Sequence, residues 1–338
     1  MKKLLHFIVL FMLIISSSVS SSGKTEEESL VIYAYDSFVA DWGPAGIIIP
    51  AFEEETGIPV KILGVGDAGQ VLSRALLEAE NPKADIILGI DNNMLSKALE
   101  SEILSPYKPR NIDLLPEDLL FDPSYHVIPF DYGFFSIIYD SEKIADPPRS
   151  LEDLTEERFR DDLILMDPRT SSPGLGFLLW TIYAYGDNYP EYWERLQPSI
   201  LTITEGWDSG YGLFTAGEAP LVLSYTTSPA YHVEYEETDR YQAAVFDKGN
   251  YMQIEGMGIV KNAPHRKSAE AFMDFILTEK FQKAIPLTNF MYPVNPQVKL
   301  PSSFDYAPKA LKSILLDPGD IAGNREKWLS EWTEALTR

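Results

Sequence analysis

Residues 221–232, LVLSYTTSPAYH, run from an apolar stretch (Leu221 to Leu223) into two tyrosines, four hydroxyl residues and a proline. The apolar stretch reads as a buried strand, and loops at strand ends are where folds place binding groups. Tyr225 and Tyr231 offer ring faces for a flat or cationic group. Thr226, Thr227 and Ser228 offer hydroxyls for its polar substituents. A plain polar turn is the competing account.

Other segments carry the same mixture. YDSFVADWGP (35–44) puts Tyr35, Asp36, Phe38, Asp41 and Trp42 at the end of a first strand. In open α/β sheets ligands bind beyond the carboxyl ends of strands; equally, Asp41 could cap a helix and Trp42 sit in the core. GDAGQVLSR (66–74) sets Asp67 at a helix start, as a cap or as an acceptor for a ligand amine. GIDNNM (89–94) and PFDYG (129–133) add Asp91, Asn92, Asn93, Asp131 and Tyr132, which read more simply as polar turns. In DPRTSSPGLG (167–176), Ser172 suits an N-cap and Pro173 a first helical residue. The same helix start could hold a phosphate or hydroxyl at Ser171 and Ser172. GWDSGYGLF (206–214) brings Trp207 to another helix start.

Much other chemistry is poorly supported. His6, His126, His232 and His265 show no metal-ligand spacing, and neither a GxSxG elbow nor a P-loop occurs. The chain has no cysteine, which excludes disulfides, thiolate metal sites and a Cys nucleophile. A ferric site would want adjacent tyrosinates, but Tyr225 is followed by Thr226. Neither a cofactor nor a metal is expected.

These segments need strands and helices to position them. LVIYAY (30–35), IPVKIL (58–63) and ADIILGI (84–90) read as strands, with helices over about 45–55 and 68–80 between them. That alternation is the βαβ signature of a parallel sheet. A second α/β region follows PFDYGFFSIIYD (129–140): strands at 163–168, 200–207 and 219–225, and a helix over 171–186 apolar on nearly all sides. MQIEGMGIVKNAPH (252–265) leaves it as a strand, and helices over 268–277 and about 324–336 follow. At 338 residues two lobes are expected. Residues 28–130 and about 255–338 form the first, with C-terminal helices able to bridge both, and 131–254 form the second.

A net charge of −23 argues against nucleic acid and anionic membranes and favours cationic partners. Residues 1–22 begin with Lys2 and Lys3, continue through an apolar run from Leu4 to Ile15, and end in serines. That order is a secretory signal peptide with cleavage near Ser21 or Ser22, predicting a periplasmic protein.

The strings YDSFVADWGP, ADIILGIDNN, PFDYGFF, DPRTSSPGLGFLLW, GWDSGYGLF, LVLSYTTSPAYH and EKWLSEWTEAL together resemble the periplasmic thiamine-binding proteins of bacterial ABC importers. The similarity runs in order from about residue 31 to 336. It implies the two-lobed periplasmic-binding-protein type II α/β fold, with ligand in a cleft between lobes. It further implies a monomer that delivers thiamine and its mono- and diphosphate to a permease with its ATPase. Matching positions place ligand contacts on Asp67, Ala68, Ser171, Ser172, Trp207, Tyr225, Thr226, Thr227 and Ser228. Tyr35, Trp42 and Tyr231 complete the aromatic walls. The chain departs from the family's pattern at Phe290, where tryptophan is usual, and at Ala68, where glycine is usual. A polyamine receptor is the alternative, although polyamines have no anionic group for the Ser171–Ser172 helix start. Thiamine-degrading enzymes on the same fold use a Cys nucleophile, which this chain lacks.

Overall fold

The computed structural model describes residues 29–337, so the expected signal peptide lies outside the described residues. In the first lobe β1 (Leu30–Ala34) pairs in parallel with β2 (Val60–Gly64) and β3 (Ile86–Asp91), joined through helices Ala45–Thr56 and Ala68–Leu77. The short β4 (Leu104–Ser105) follows. β5 (Ile128–Asp140) then carries the chain into the second lobe, where β6 (Leu163–Met166) lies parallel to β7 (Ile200–Thr204) and β8 (Leu221–Tyr225). After β9 (Tyr241–Ala243) the chain returns along β10 (Asn250–Val260), and two-residue strands β11 (Tyr292–Pro293) and β12 (Ser313–Ile314) complete the set.

The main strand order is β2-β1-β3-β10-β5-β8-β6-β7. β5 and β10, antiparallel neighbours, belong to both halves. The first part of β5 pairs with β10 and the second with β8, while β10 also pairs with β3. Thus the two lobes hang on two adjacent long strands. This arrangement is the two-lobed α/β fold the sequence leads one to expect.

Each lobe has an aromatic core. Phe52, Phe272, Phe275 and Phe281 pack edge-on or tilted behind the first sheet, and Phe177, Trp180, Trp193 and Phe246 do so in the second. Burying each such ring contributes about 1.5–3 kcal/mol. The helix Ser172–Tyr185 is buried along most of its length, as its all-round apolarity predicts. Sequence periodicity places the last helix at 324–336, but it spans Pro318–Ala335. Asp317 caps it through Gly319 N, and Pro318 occupies its first turn. It touches both lobes: Trp332 meets Trp193 edge-on, while Ser96 Oγ donates to the Pro318 carbonyl.

Candidate functional site

The carboxyl ends of β1, β6 and β8 and the loop after β2 face one another across a cleft of about 510 Å³. Tyr35, Trp42, Asp67, Ala68, Ser172, Trp207, Tyr225, Ser228 and Tyr231 all line it. The structure therefore gathers nine of the sequence-predicted residues from distant parts of the chain. Ser171 stands just behind the surface, nearly fully buried. Thr226 and Thr227 are wholly buried and are not among the lining residues, so their hydroxyls are not presented to the cleft. Of the other candidates, Phe38 is core, packed edge-on against Tyr35 and Phe130. Trp42, at 44% exposed, is not.

Aromatic rings make the second-lobe wall rigid. Trp207 opens the helix Trp207–Thr215 and stacks on Tyr211 with centroids 4.8 Å apart and planes within 18°. Its Nε1 donates to Ser224 Oγ at 2.8 Å, and Trp42 meets it edge-on at 6.4 Å. Behind the stack, fully buried His232 contacts Tyr211 Oη through Nε2 at 2.8 Å and Glu236 through Nδ1 at 2.7 Å. Burial keeps the His232 pKa below its ordinary value, so at neutral pH Nε2 accepts from tyrosine while Nδ1 donates. His232→Ala should remove that support without removing any lining group. Losing this hydrogen bond at the buried Tyr211 hydroxyl costs about 1 kcal/mol of stability, so the urea midpoint of unfolding should fall.

Asp67 joins the lobes. It caps the helix Ala68–Leu77, with Oδ1 accepting from Ala68 N at 2.7 Å. The same carboxylate accepts from Ser172 N at 3.1 Å, Ser171 Oγ at 3.1 Å and Trp207 N at 3.0 Å, all on the second lobe. Two helix starts, which favour negative charge, thus converge on one acid of the opposite lobe. Burial raises its pKa while these hydrogen bonds pull it down. Close approach depends on glycine: a β-carbon at Gly69 would collide with the Thr170 carbonyl, and one at Gly206 would lie 3.0 Å from the Asp67 carboxylate. The N-cap of the helix Ser172–Tyr185 is Ser171 rather than Ser172, because Ser171 is the extended residue whose hydroxyl accepts from Gly174 N.

The cleft also holds groups that sequence reasoning did not select as site residues. Tyr211, Glu236, Asn289 and Met291 line it, as does Glu255. Glu255 had a readable signal, since it is a carboxylate within the apolar strand MQIEGMG, and such residues are almost never buried without a purpose. Phe290 also lines the cleft, edge-on to Tyr231 at 5.2 Å. Asp91, Asn92 and Asn93 make a buried network rather than a polar turn: Asn93 Oδ1 accepts from Tyr251 Oη at 2.7 Å and Asn92 Oδ1 from Ile254 N at 2.7 Å. Among the described residues, the cleft lining carries six carboxylates and no lysine, arginine or histidine.

A two-lobed α/β fold with a cleft lined by both lobes is one that solute receptors use, and residues 81–312 match the model of the bacterial extracellular solute-binding protein family. The chain belongs to that family. It is 42% identical to the thiamine-binding periplasmic protein of Brucella abortus biovar 1 (strain 9-941) over 313 residues, covering 92% of this chain and 93% of that one. Against the thiamine-binding periplasmic protein of Escherichia coli (strain K12) identity is 40% over 313 residues, with coverage of 91% and 94%. A solved periplasmic thiamin binding protein superimposes with a TM-score of 0.88 at 40% identity, covering 92% of this chain and 96% of that chain.

Proposed function

We propose that this chain is the periplasmic receptor that captures thiamine for an ABC importer. The observation that carries the reading is the cleft's charge: Asp36, Asp67, Glu205, Asp208, Glu236 and Glu255 line it with no basic side chain among the described residues. Such a site selects a cation, and its aromatic walls suit a flat one. Thiazolium is both. The relatives named above are thiamine-binding proteins that match this chain over more than nine-tenths of both chains, which supports the same ligand here. Contacts then fall on Asp67, Ala68, Ser172, Trp207, Tyr225 and Ser228, with Tyr35, Trp42 and Tyr231 as walls. Ser171 supports Asp67 from behind, and the buried Thr226 and Thr227 lie in the turn that leads to Ser228. To hold the mono- or diphosphate at the same helix starts, the Ser172 and Trp207 N–H groups would have to exchange Asp67 for the phosphate.

The protein acts as a monomer that binds without turnover, uses no cofactor, and hands its ligand to a permease driven by an ATPase. Closure proceeds by movement of residues 131–254 against 29–130 and 255–337 about β5 and β10. Calorimetric titration of the mature protein, refolded to strip carried-over ligand, tests the reading with thiamine, both phosphates and spermidine. Tight one-to-one thiamine binding with no spermidine heat is expected. Spermidine binding with no heat from any thiamine species would sink it and favour a polyamine receptor.

A further inference from the structure

Asp91, Glu255 and Asp131 are direct cross-strand neighbours on β3, β10 and β5. Like charges placed opposite one another destabilise a sheet, so three buried carboxylates in one row call for an explanation. Asp91 has ample donors: Asn93 N, Met94 N and Gln253 Nε2 all reach it within 3.0 Å. The other two do not. Glu255 Oε2 accepts from Tyr35 Oη at 3.1 Å, and Asp131 Oδ2 from Asn289 Nδ2 at 2.6 Å. No donor reaches the buried Asp131 Oδ1. Asp131 and Glu255 stand directly opposite each other, so a proton on one carboxyl is the group placed to satisfy the other.

The surroundings favour that proton. Facing the pair are Asp91 from β3, Asp67 from the helix start after β2, Tyr35 after β1, Tyr225 at the end of β8, and Asn289. All are acidic or neutral. Burial pushes both carboxyl pKa values up, and at Glu255 the nearby charges of Asp131, Asp91 and Asp67 add to the rise. Glu255 lines the cleft, whereas Asp131 is fully buried and not among the lining residues, so an arriving ligand meets Glu255 first.

We propose that the Asp131–Glu255 pair is a proton-holding counter-ion, and that a permanently charged cation takes the place of its proton. In the free cleft one O–H bond of the pair is intact. As the cation seats, that bond breaks and the proton leaves through cleft water to the bulk, so the charge of the cleft floor stays constant. A quaternary nitrogen carries no proton to give up, so the protein must supply the one released. Uptake is thereby linked to pH, and the pair discriminates against neutral rings of the same shape. Asp131 is a positioning residue here, acting through Glu255.

The inference rests on the thiamine reading only for its choice of cation. Thiamine is titrated near neutral pH in buffers of low and high ionisation enthalpy. The heat should differ in proportion to about one proton released per ligand, and affinity should rise up to about tenfold per pH unit. Both effects should vanish in Glu255→Gln and shrink in Asp131→Asn. Buffer-independent heat, or unchanged proton release in Glu255→Gln, overturns the proposal. A second measurement needs no ligand: the free protein at neutral pH should show the infrared carbonyl band of a protonated carboxyl, and Glu255→Gln should remove it. If thiamine gives no heat, the thiamine reading fails, and the infrared band alone then decides whether the pair holds a proton; its absence overturns the inference.

Discussion

Replacing Trp207 with alanine should weaken thiamine binding roughly 30-fold and leave the fold intact. A cation desolvated over an indole face gains about 2 kcal/mol, and about 1.4 kcal/mol corresponds to a factor of ten. The ring can deliver that energy because it cannot swing away. Tyr211 backs one face at 4.8 Å, Ser224 Oγ holds its Nε1 at 2.8 Å, and Trp42 closes one edge. Only the side chain is lost in the variant. The Trp207 backbone N–H still reaches Asp67, so the contact between lobes survives. Trp207→Phe separates ring face from ring size: it keeps a π-surface but not the Ser224 hydrogen bond, and should lose only about fivefold. Calorimetric titration of both variants checks this. Wild-type affinity in Trp207→Ala would move the cation-binding face to Tyr35, Tyr231 or Phe290.

Much of the frame was legible because its signals are local. Apolar runs such as LVIYAY and ADIILGI are long enough to declare strands, and β1 and β3 lie where those runs predict. IPVKIL was less so. β2 is an edge strand with a half-exposed pattern, and its span Val60–Gly64 slides toward the glycine. The cleft wall was legible for a related reason. Aromatics and hydroxyls at strand ends have few structural uses in number, so Tyr35, Trp207, Tyr225 and Tyr231 stand out. Its floor was legible only at Glu255, and the partner of that residue was not. Asp131 and Glu255 lie 124 positions apart, which is 255 minus 131, and only antiparallel pairing of β5 with β10 sets them side by side. Neighbouring glycines blur the pattern further, since β10 shifts register beside Gly256. Thr226 and Thr227 fail the opposite way. They share a string with cleft residues, but the turn between β8 and the helix Pro229–Tyr235 points them inward, where burial is complete.

Asp67→Ala should reduce thiamine affinity by roughly 30- to 100-fold, and it should do so by opening the cleft rather than by removing a ligand contact alone. Ser171 Oγ, Ser172 N and Trp207 N, all from the second lobe, spend their hydrogen bonds on this one carboxylate. Bonds to a charged group are worth about 1.5–3 kcal/mol each when buried. Opening returns these donors to water, so only about 2–3 kcal/mol of the sum biases closure. A receptor whose competent form is less populated shows an affinity reduced by the same fraction. Asp67→Asn should recover little. An amide keeps one accepting oxygen for Ala68 N and Ser172 N, but turns an NH₂ toward the Trp207 N–H and Ser171 Oγ. Small-angle scattering distinguishes the mechanism from simple loss of contact. The free Asp67→Ala protein should have a larger radius of gyration than wild type, whereas free Trp207→Ala, with its backbone bond intact, should not. Equal radii for all three would mean that closure is held elsewhere, with Gln70 Nε2 and Glu205, 2.5 Å apart across the same cleft, the next contact to break.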